Sequence, residues 1–489
     1  SGVRIQTAGD DPVGAARLLL LQQQQSLLDQ YSGNMNTVSN ALLQEESVLS
    51  TINDAMQRAS ELAIRAGGAG VTDADRVSIS TELKEIEANI FGLLNSRDAN
   101  GDYMFAGSKS TTPPYVRNSD GTYSYHGDQT QLSLQVSDTL NLATNDSGAS
   151  VFDAAKNKSR TQSTLLVPAT DDGVVGVSPG LLKSSNSYND SFTAGQPYKL
   201  TFTSATQYSI TDANGNDITA ETPTNGHFDS KTEGANRIAL RGVEFEITVT
   251  LEEGKDADAA VAGREFSLAA RPDSFTTTRG AGNSSTAQVT SSAVTDPTAY
   301  RSTFPSNGAV IKFTGPDTYE FYAQPMKADS KPVATGTFTA PQLTVAGVTY
   351  DVNGAPQAGD QFAVTANTHQ NQNVLETISQ LRAALDTPVT GAGAANGLKD
   401  AVASAIANLA SAREQVDITR GSIGARGSSL EIQRQENTSL GLANKTTQDA
   451  IGNTDMSQAA ITLTLQQAML EASQLAFSRI SQLSLFNKL

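Results

Sequence analysis

Few side chains in this sequence combine the type and the spacing that chemistry at a protein site requires. The chain has three histidines, His126, His227 and His369, and each lies in a separate polar stretch. None belongs to an H-E-x-x-H pattern, which places two zinc ligands on one face of a helix. The chain has no cysteine, so thiol catalysis and cysteine metal sites are excluded. We therefore predict no metal site and no cofactor.

Two acidic stretches have structural explanations. The segment DANGND, residues 212–217, alternates carboxylates and amides as a calcium loop does, but it lacks the glutamate that completes such a loop. An Asn-Gly turn between strands explains it better. A solvated loop explains LEEGKDADAA, residues 251–260. A triad of distant residues would leave no local motif, but the sequence has neither a nucleophile elbow nor a phosphate-binding glycine loop, and we predict no enzyme.

Composition limits the class of protein and its partners. The chain of 489 residues has 17% charged residues and a formal net charge of -17. This charge argues against nucleic acid or an anionic membrane surface as a partner, because both require positive patches. No run approaches the ~18 consecutive apolar residues of a membrane span, and the start resembles no cleaved signal peptide. The sequence thus predicts a polar chain of several domains.

The N-terminal region is predicted to be a long helical hairpin. Asp11 and Pro12 are typical of a helix start. Thr72 and Asp75 resemble a capping box for a second helix, which we expect to end near Asn100. In the first helix apolar residues recur at intervals of seven, the pattern of a coiled coil, with Gln24 and Glu45 as exceptions. The main seam consists of Leu21, Leu28, Met35, Leu42, Leu49, Met56 and Ala63.

The C-terminal region mirrors the first. A short helix over 374–385 and a Gly/Ala linker precede a second heptad series, whose later seam positions are Asn437 and Asn444. Polar seam residues fix register and orientation. After Gly452 a capping box at Asp455 and Gln458 starts the last helix, which has apolar residues on two faces that one neighbour cannot cover. One stripe is Ile461, Leu465, Met469, Ala472, Ala476, Ile480 and Leu483, and the other is Leu463, Leu470 and Phe477.

The middle of the chain alternates short apolar runs with Gly, Asn, Asp and Pro, which indicates antiparallel β domains. Residues 198–211 resemble 310–323, and segments 241–247 and 262–271 resemble 346–352 and 358–367, so we predict tandem modules. The fold class is α+β multidomain, with an antiparallel helical bundle or coiled coil and inserted β domains. The predicted boundaries are 1–102 plus 373–489 for the helical core, with 456–489 as terminal assembly helix, 103–147 for a β-hairpin region, 148–290 for the first β module and 291–372 for the second.

Several segments together resemble the flagellin superfamily and, within it, the hook-filament junction family. The superfamily pattern covers SGVRIQTAGDDPVGAARLLLLQQQ at the start, QRASELAIRA at 57–66 and QQAMLEASQLAFSRISQLSLFNKL at the end. ANGDYMFAGSKSTTPPY at 99–115, GTYSYHGD at 121–128, GVTYDVNGAPQAGDQFAV at 347–364 and NQNVLETISQL at 371–381 complete it. FAGSK and APQAGDQF favour the junction family over flagellin.

The resemblance implies a structural subunit of the bacterial flagellum that forms the junction between hook and filament. It implies type III export without a cleaved signal, an extracellular location, and a chaperone on the C-terminal helix. Partners would be further copies in a ring or tubular oligomer, a neighbouring hook-associated protein and flagellin. Relatives carry an export segment ahead of SGVRI, which we expect to pair with the C-terminal helix. We expect subunits to pack through Leu21, Leu28, Met35, Leu42, Leu49, Met56, Ile461, Leu465, Met469, Phe477, Ile480, Leu483 and Phe486.

Three alternatives stay open at this point. The heptads are also compatible with an ordinary helical bundle core that needs no neighbour. The terminal motifs are shared with flagellin, so a filament subunit is the nearest other function. Adhesive β modules on a flagellar scaffold are the third, because a sugar-binding surface leaves no short motif.

Overall fold

The computed structural model describes residues 9, 11–118, 121–229, 236–391, 393–453 and 456–486, and their side chains except at 456–458 and 480–486. Helices form both ends of the chain and strands form the middle, so the predicted α+β class is confirmed. The long helices are α1 Pro12–Ala66, α2 Asp73–Leu94, α8 Val374–Asp386, α9 Ala394–Gly452 and α10 Met456–Phe486. Short helices are α3 Gly148–Val151, α4 Ser185–Ser187, α5 Thr193–Gly195, α6 Ala257–Val261 and α7 Pro297–Thr303.

Twenty strands are found in the described ranges. They are β1 Tyr115–Arg117, β2 Tyr123–Tyr125, β3 Ser133–Gln135, β4 Asn141–Ala143, β5 Thr161–Val167, β6 Val175–Val177, β7 Leu181–Leu182, β8 Tyr198–Phe202, β9 Tyr208–Thr211, β10 Asn236–Leu240, β11 Val243–Val249, β12 Glu265–Ala270, β13 Ser274–Arg279, β14 Gln288–Val294, β15 Ala309–Gly315, β16 Thr318–Ala323, β17 Ala334–Thr337, β18 Gln342–Val345, β19 Val348–Asn353 and β20 Gln361–Asn367. Every pairing between them is antiparallel.

The predicted helix starts are confirmed where the structure describes them. The Asp11 carboxylate accepts the Gly14 N–H at 2.9 Å, and Pro12 occupies the first helical turn. Thr72 and Asp75 form a complete capping box at the start of α2. Such caps satisfy N–H groups that the helix itself leaves without partners. The box predicted at Asp455 and Gln458 lies outside the described side chains.

The end of α2 differs from the prediction. The helix ends at Leu94 and not near Asn100. The side-chain amide of Asn95 then binds the backbone of Tyr115 in strand β1. Its Oδ1 accepts the Tyr115 N–H at 3.0 Å, and its Nδ2 donates to the Tyr115 carbonyl at 3.1 Å. A side chain that mimics a strand partner in this way holds the backbone out of the helix.

Helices α1 and α9 pack antiparallel and form a structure that we call the shaft. The shaft core also includes α2, α8 and apolar residues from the hairpins β1–β2 and β3–β4. The side chain of Arg382 in α8 donates to Glu87 of α2 at 2.5 Å, and Tyr123 of β2 donates to the same carboxylate at 2.6 Å. Glu87 is only 2% exposed, so these bonds compensate a buried charge.

The two β modules share one strand order. In the first, one sheet runs β5-β12-β8-β9 and the other β10-β11-β6. In the second, the sheets run β13-β20-β15-β16-β17 and β14-β19-β18. Each module has its own apolar core. The two modules therefore repeat one arrangement of strands, except that β17 has no counterpart in the first module and β7 has none in the second.

The tight turns before β11 and β19 extend the duplication to single residues. Arg241 and Gly242 have φ of 47° and 89°, and Ala346 and Gly347 have φ of 52° and 75°. Two successive positive φ values define the hairpin turn that fits the strand twist. The Gly242 carbonyl accepts the Lys183 N–H, and the Gly347 carbonyl accepts the Thr295 N–H, both at 2.9 Å.

The predicted limit at 290 between the modules separates strands that pair. Strand β13 lies before this limit, but it pairs with β20 from Ser274 opposite Asn367 to Arg279 opposite Phe362. Its partner follows more than 80 residues later, so no local sequence pattern could assign it.

Candidate assembly surface

Helix α10 exposes almost all of its apolar side chains. Ile461, Leu465 and Met469 of the first stripe are 67%, 60% and 65% exposed. In the second stripe, Phe477 is 75% exposed, and Leu463 and Leu470 are exposed as well. Both predicted faces are thus uncovered within the described part of the chain, and no residue from 460 to 479 is buried. Large exposed apolar patches mark interaction sites.

Helix α10 has few charged residues. Between Met456 and Phe486 the only charged residues are Glu471 and Arg479. A helix on the surface of a single globular protein normally has a polar face opposite its apolar one. Helix α10 therefore has the composition of an interface helix. The predicted contacts Ile480, Leu483 and Phe486 lie outside the described side chains.

The predicted packing residues of α1 have a different environment. Leu28, Met35, Leu42, Leu49 and Met56 are buried in the shaft, and Leu21 is half-buried. Met35, Leu42, Leu49 and Met56 belong to the shaft core of the same chain, which also includes apolar residues of α9. Burial within the chain leaves these side chains little surface for a neighbour, and subunit packing through them stays a prediction.

The polar seam residues of α9 set the register of the shaft. Asn437 Nδ2 donates to the Leu28 carbonyl at 3.0 Å, and Asn444 Nδ2 donates to the Leu21 carbonyl at 2.9 Å. The two donors are seven residues apart in α9, and the two acceptors are seven residues apart in α1. The later donor pairs with the earlier acceptor, as antiparallel helices require. A shift of one chain along the other would break both bonds, which is how a polar seam residue specifies register.

Exposed apolar residues outside α10 were not predicted as contacts. One group of them lies towards the distal end of the shaft, where a Cβ added to Gly452 at the end of α9 would lie 3.6 Å from Leu18 Cδ1 of α1. Others, such as Leu43, Ile64 and Ile418, lie elsewhere. Helix α10 starts just beyond this point. The sequence contains one indication of this set, the run of four leucines at 18–21. Four consecutive residues of a helix point in different directions, so some of these leucines must be exposed. The members of this distal apolar set are Val13, Leu19, Leu20, Leu27, Ile432, Leu440 and Leu442.

The residues considered for chemistry are scattered. His126 and His227 are exposed, and His369 Nε2 lies 3.1 Å from the Pro272 carbonyl oxygen. Burial, together with the nearby Arg271, lowers the pKa of His369. In the DANGND segment Asp212 accepts the N–H groups of Asn214 and Asn216, both at 2.9 Å, so its carboxylate stabilises a tight turn. Among the described residues, no three His, Asp or Glu side chains form a group that could hold a metal ion.

No helix in the described ranges combines the length and the hydropathy that crossing a bilayer requires.

Comparison with known proteins places the helical start of the chain in a defined class. Residues 1–110 match the family of bacterial flagellin N-terminal helical regions, and the predicted resemblance to the flagellin superfamily is confirmed over this segment. Flagellar hook-associated protein 3 of Salmonella typhimurium is 33% identical over 154 residues, which are 32% of this chain and 48% of that protein. The Escherichia coli protein of the same name is 30% identical over the same shares.

The chain is also similar in sequence to flagellins and in structure to solved flagellar proteins. Flagellin FlaB1 of Treponema pallidum is 34% identical over 112 residues, 23% of this chain and 39% of that protein. Hook associated protein-3 of Legionella pneumophila is 19% identical with a TM-score of 0.49, covering 88% of this chain and 98% of that structure. FlgL of Xanthomonas campestris is 20% identical with a TM-score of 0.44, covering 88% and 99%. The chain spans about half the length of the curated relatives it matches.

Proposed function

We propose that this chain is a structural subunit of the bacterial flagellum and forms the junction between hook and filament. The observation that carries the proposal is the exposure of both apolar stripes of α10. The proposal is supported by alignments to hook-associated protein 3 that extend over 154 residues, against 112 for flagellin FlaB1. Catalysis has no part in this function.

Assembly would proceed through α10 and the distal apolar set. Head-to-tail contacts between different patches build rings or open helical arrays, and a helix with two apolar faces can contact two neighbours. Burying a large apolar side chain contributes about 1.5–3 kcal/mol. The seven large apolar residues of α10 that are exposed can therefore offset association costs of about 4–15 kcal/mol.

The same exposure implies further partners. Neighbouring copies, an adjoining hook-associated protein and flagellin would cover α10 in the finished flagellum. Before export a chaperone would cover it, because an exposed apolar patch promotes aggregation. The subunit would leave the cell without a cleaved signal and reside in the extracellular flagellum.

Deleting residues 455–489 in the producing bacterium tests the proposal. We expect intact hooks and the loss of attached filaments, with unattached flagellin in the medium. Immunoblots of the medium for the truncated chain separate failed export from failed assembly. Normal numbers of attached filaments with the truncated chain would contradict the proposal.

Point variants make the test specific to apolar contact. The double variant Leu465→Ser and Met469→Ser removes two exposed apolar side chains from one stripe. The matched control, Gln466→Ser with Gln467→Ser, changes two exposed polar residues of the same helix. We expect filaments to be lost only with the apolar pair. Equal attachment in both strains would show that this stripe makes no essential contact.

A filament subunit is the second candidate, favoured by the flagellin match over residues 1–110. Purified flagellin would polymerise into long filaments without a hook. We expect the purified chain to form at most short oligomers under the same conditions. Long filaments would instead assign it as a flagellin.

A further inference from the structure

Glu45 is the one charged residue among the buried side chains of the predicted α1 seam. It lies between Leu42 and Leu49 and is only 2% exposed. Its Oε1 accepts the N–H of Asp146 at 3.2 Å. Its Oε2 is buried and has no hydrogen-bond partner among the described residues. A carboxyl group in this position is costly unless it is neutral or paired.

The neighbouring charges do not balance it. Asp146 forms an ion pair with Arg426 of α9, and both of these side chains are about nine-tenths buried. Arg426 Nη1 also donates to the Ala143 carbonyl at 3.2 Å, and Gln131 Nε2 donates to Asp146 Oδ1 at 2.7 Å. The charged groups that face one another are therefore Glu45 from α1, Arg426 from α9 and Asp146 from the segment after β4. Two carboxylates share one guanidinium.

Only one of the two carboxylates can be ionised at low cost. Asp146 forms the direct ion pair with Arg426, so ionisation of Glu45 would place a second negative charge beside that pair. Burial, and then repulsion from Asp146, raise the pKa of Glu45 to about 8, although Arg426 opposes the shift. At neutral pH Glu45 is therefore a neutral acid, and the cluster has no net charge. When Glu45 ionises, the cluster has a buried charge of -1.

We propose that Glu45, Asp146 and Arg426 form a proton-operated latch that fastens segment 144–146 to the shaft. The latch is closed while Glu45 holds its proton. When the proton leaves, Asp146 and its segment move away, because the segment is irregular backbone, whereas Glu45 lies within a long helix. Other bonds keep the hairpin in place: Tyr31 donates to Asp138 at 2.8 Å, and Asn34 donates to the Gln135 carbonyl at 2.7 Å. The latch does not depend on the proposed flagellar function.

Hydrogen exchange of the Asp146 amide in the purified full chain tests the latch. Opening exposes Glu45, whose pKa then returns to its ordinary value near 4.5, so the open state binds fewer protons than the closed state. Stability of the latch is full below that value and falls as pH rises towards 8. Protection at Asp146, corrected for the intrinsic exchange rate, should fall about tenfold per pH unit between about pH 5 and 8.

Two variants make the result decisive. Glu45→Gln keeps the shape but cannot ionise, so protection at Asp146 should not vary with pH in this window and should exceed the wild-type value at pH 9. Glu85→Gln, at an exposed position of α2, should follow the wild-type profile. A flat wild-type profile, or a Glu45→Gln profile that still falls tenfold per unit, would overturn the proposal.

A direct titration provides an independent readout. The carboxyl carbon resonance of Glu45, assigned by its absence in Glu45→Gln, should move with a midpoint near pH 8. Asp146→Asn removes the like charge and frees Arg426 for Glu45, so the midpoint should fall. A wild-type midpoint near the ordinary value of 4.5 would also overturn the proposal.

Discussion

The seam of the shaft and the surface of α10 contain the same kinds of side chain in opposite environments. Leu49 in α1 is completely buried, whereas Leu465 in α10 is 60% exposed. Both positions belong to apolar series with a helical period, so periodicity alone does not distinguish them. The difference is the partner: α9 covers α1 within the chain, and α10 has no cover in the described residues. Apolar periodicity thus identifies a contact but not whether that contact lies within or between chains.

The largest expected effect comes from removing a buried seam residue. Leu49→Ala should lower the free energy of unfolding of the shaft by about 2–5 kcal/mol, because it leaves a cavity in a packed core. Leu465→Ala should change it by less than about 0.5 kcal/mol, because the side chain is already exposed. Denaturant titrations followed by circular dichroism measure both. Equal losses would show that α10 is packed within the isolated subunit.

Replacing the polar seam residues sharpens the comparison within the shaft. In the double variant Asn437→Leu and Asn444→Leu, apolar burial of about 1.5–3 kcal/mol at the buried position 444, and less at the half-buried position 437, outweighs hydrogen bonds of about 0.5–1.5 kcal/mol. The shaft should therefore become more stable but lose its single register. Doubled amide resonances for the distal shaft residues would report the mixed register. One set of resonances, unchanged from the wild type, would mean that apolar packing alone fixes the alignment.

The smallest expected effect concerns a cap far from both surfaces. Thr72→Ala removes a side chain that accepts the Asp75 N–H at 3.2 Å, and it should lower the unfolding free energy by about 1 kcal/mol. Thr81→Ala, at an exposed position inside the same helix, is the matched control and should have a smaller effect. Thermal unfolding of the two variants compares them. A control loss equal to that of Thr72→Ala would refute a specific role for the cap.

The sequence was informative where the structure depends on local patterns. The heptad repeats, the capping box at Thr72 and the helix break at Gly452 predict the long helices. The repeated strand motifs predict two related β modules. The predicted end of α2 is too late, because Asn95 hydrogen-bonds to the backbone of Tyr115, which lies 20 residues away in the sequence. Strand β13 was assigned to the wrong side of a boundary for the same reason.

The candidate surface was predicted in part. Apolar periodicity located both stripes of α10, because their spacing is a local property. The same reasoning could not show that Leu28 to Met56 are covered by α9, since coverage depends on a helix almost 400 residues later. Glu45 appeared in the sequence only as an exception to the seam. Its relation to Asp146 requires the tertiary fold.

Cysteine labelling tests most directly whether α10 is buried between subunits. The chain has no cysteine, so Leu470→Cys introduces a single thiol on the exposed helix, and Glu253→Cys provides a control on the first β module. We predict that a maleimide reacts rapidly with both variants as purified subunits. In assembled flagella the Leu470→Cys thiol should react at least about tenfold more slowly, because exclusion from solvent limits reaction to rare openings, while the control rate stays unchanged. Equal rates at Leu470→Cys before and after assembly would contradict the account.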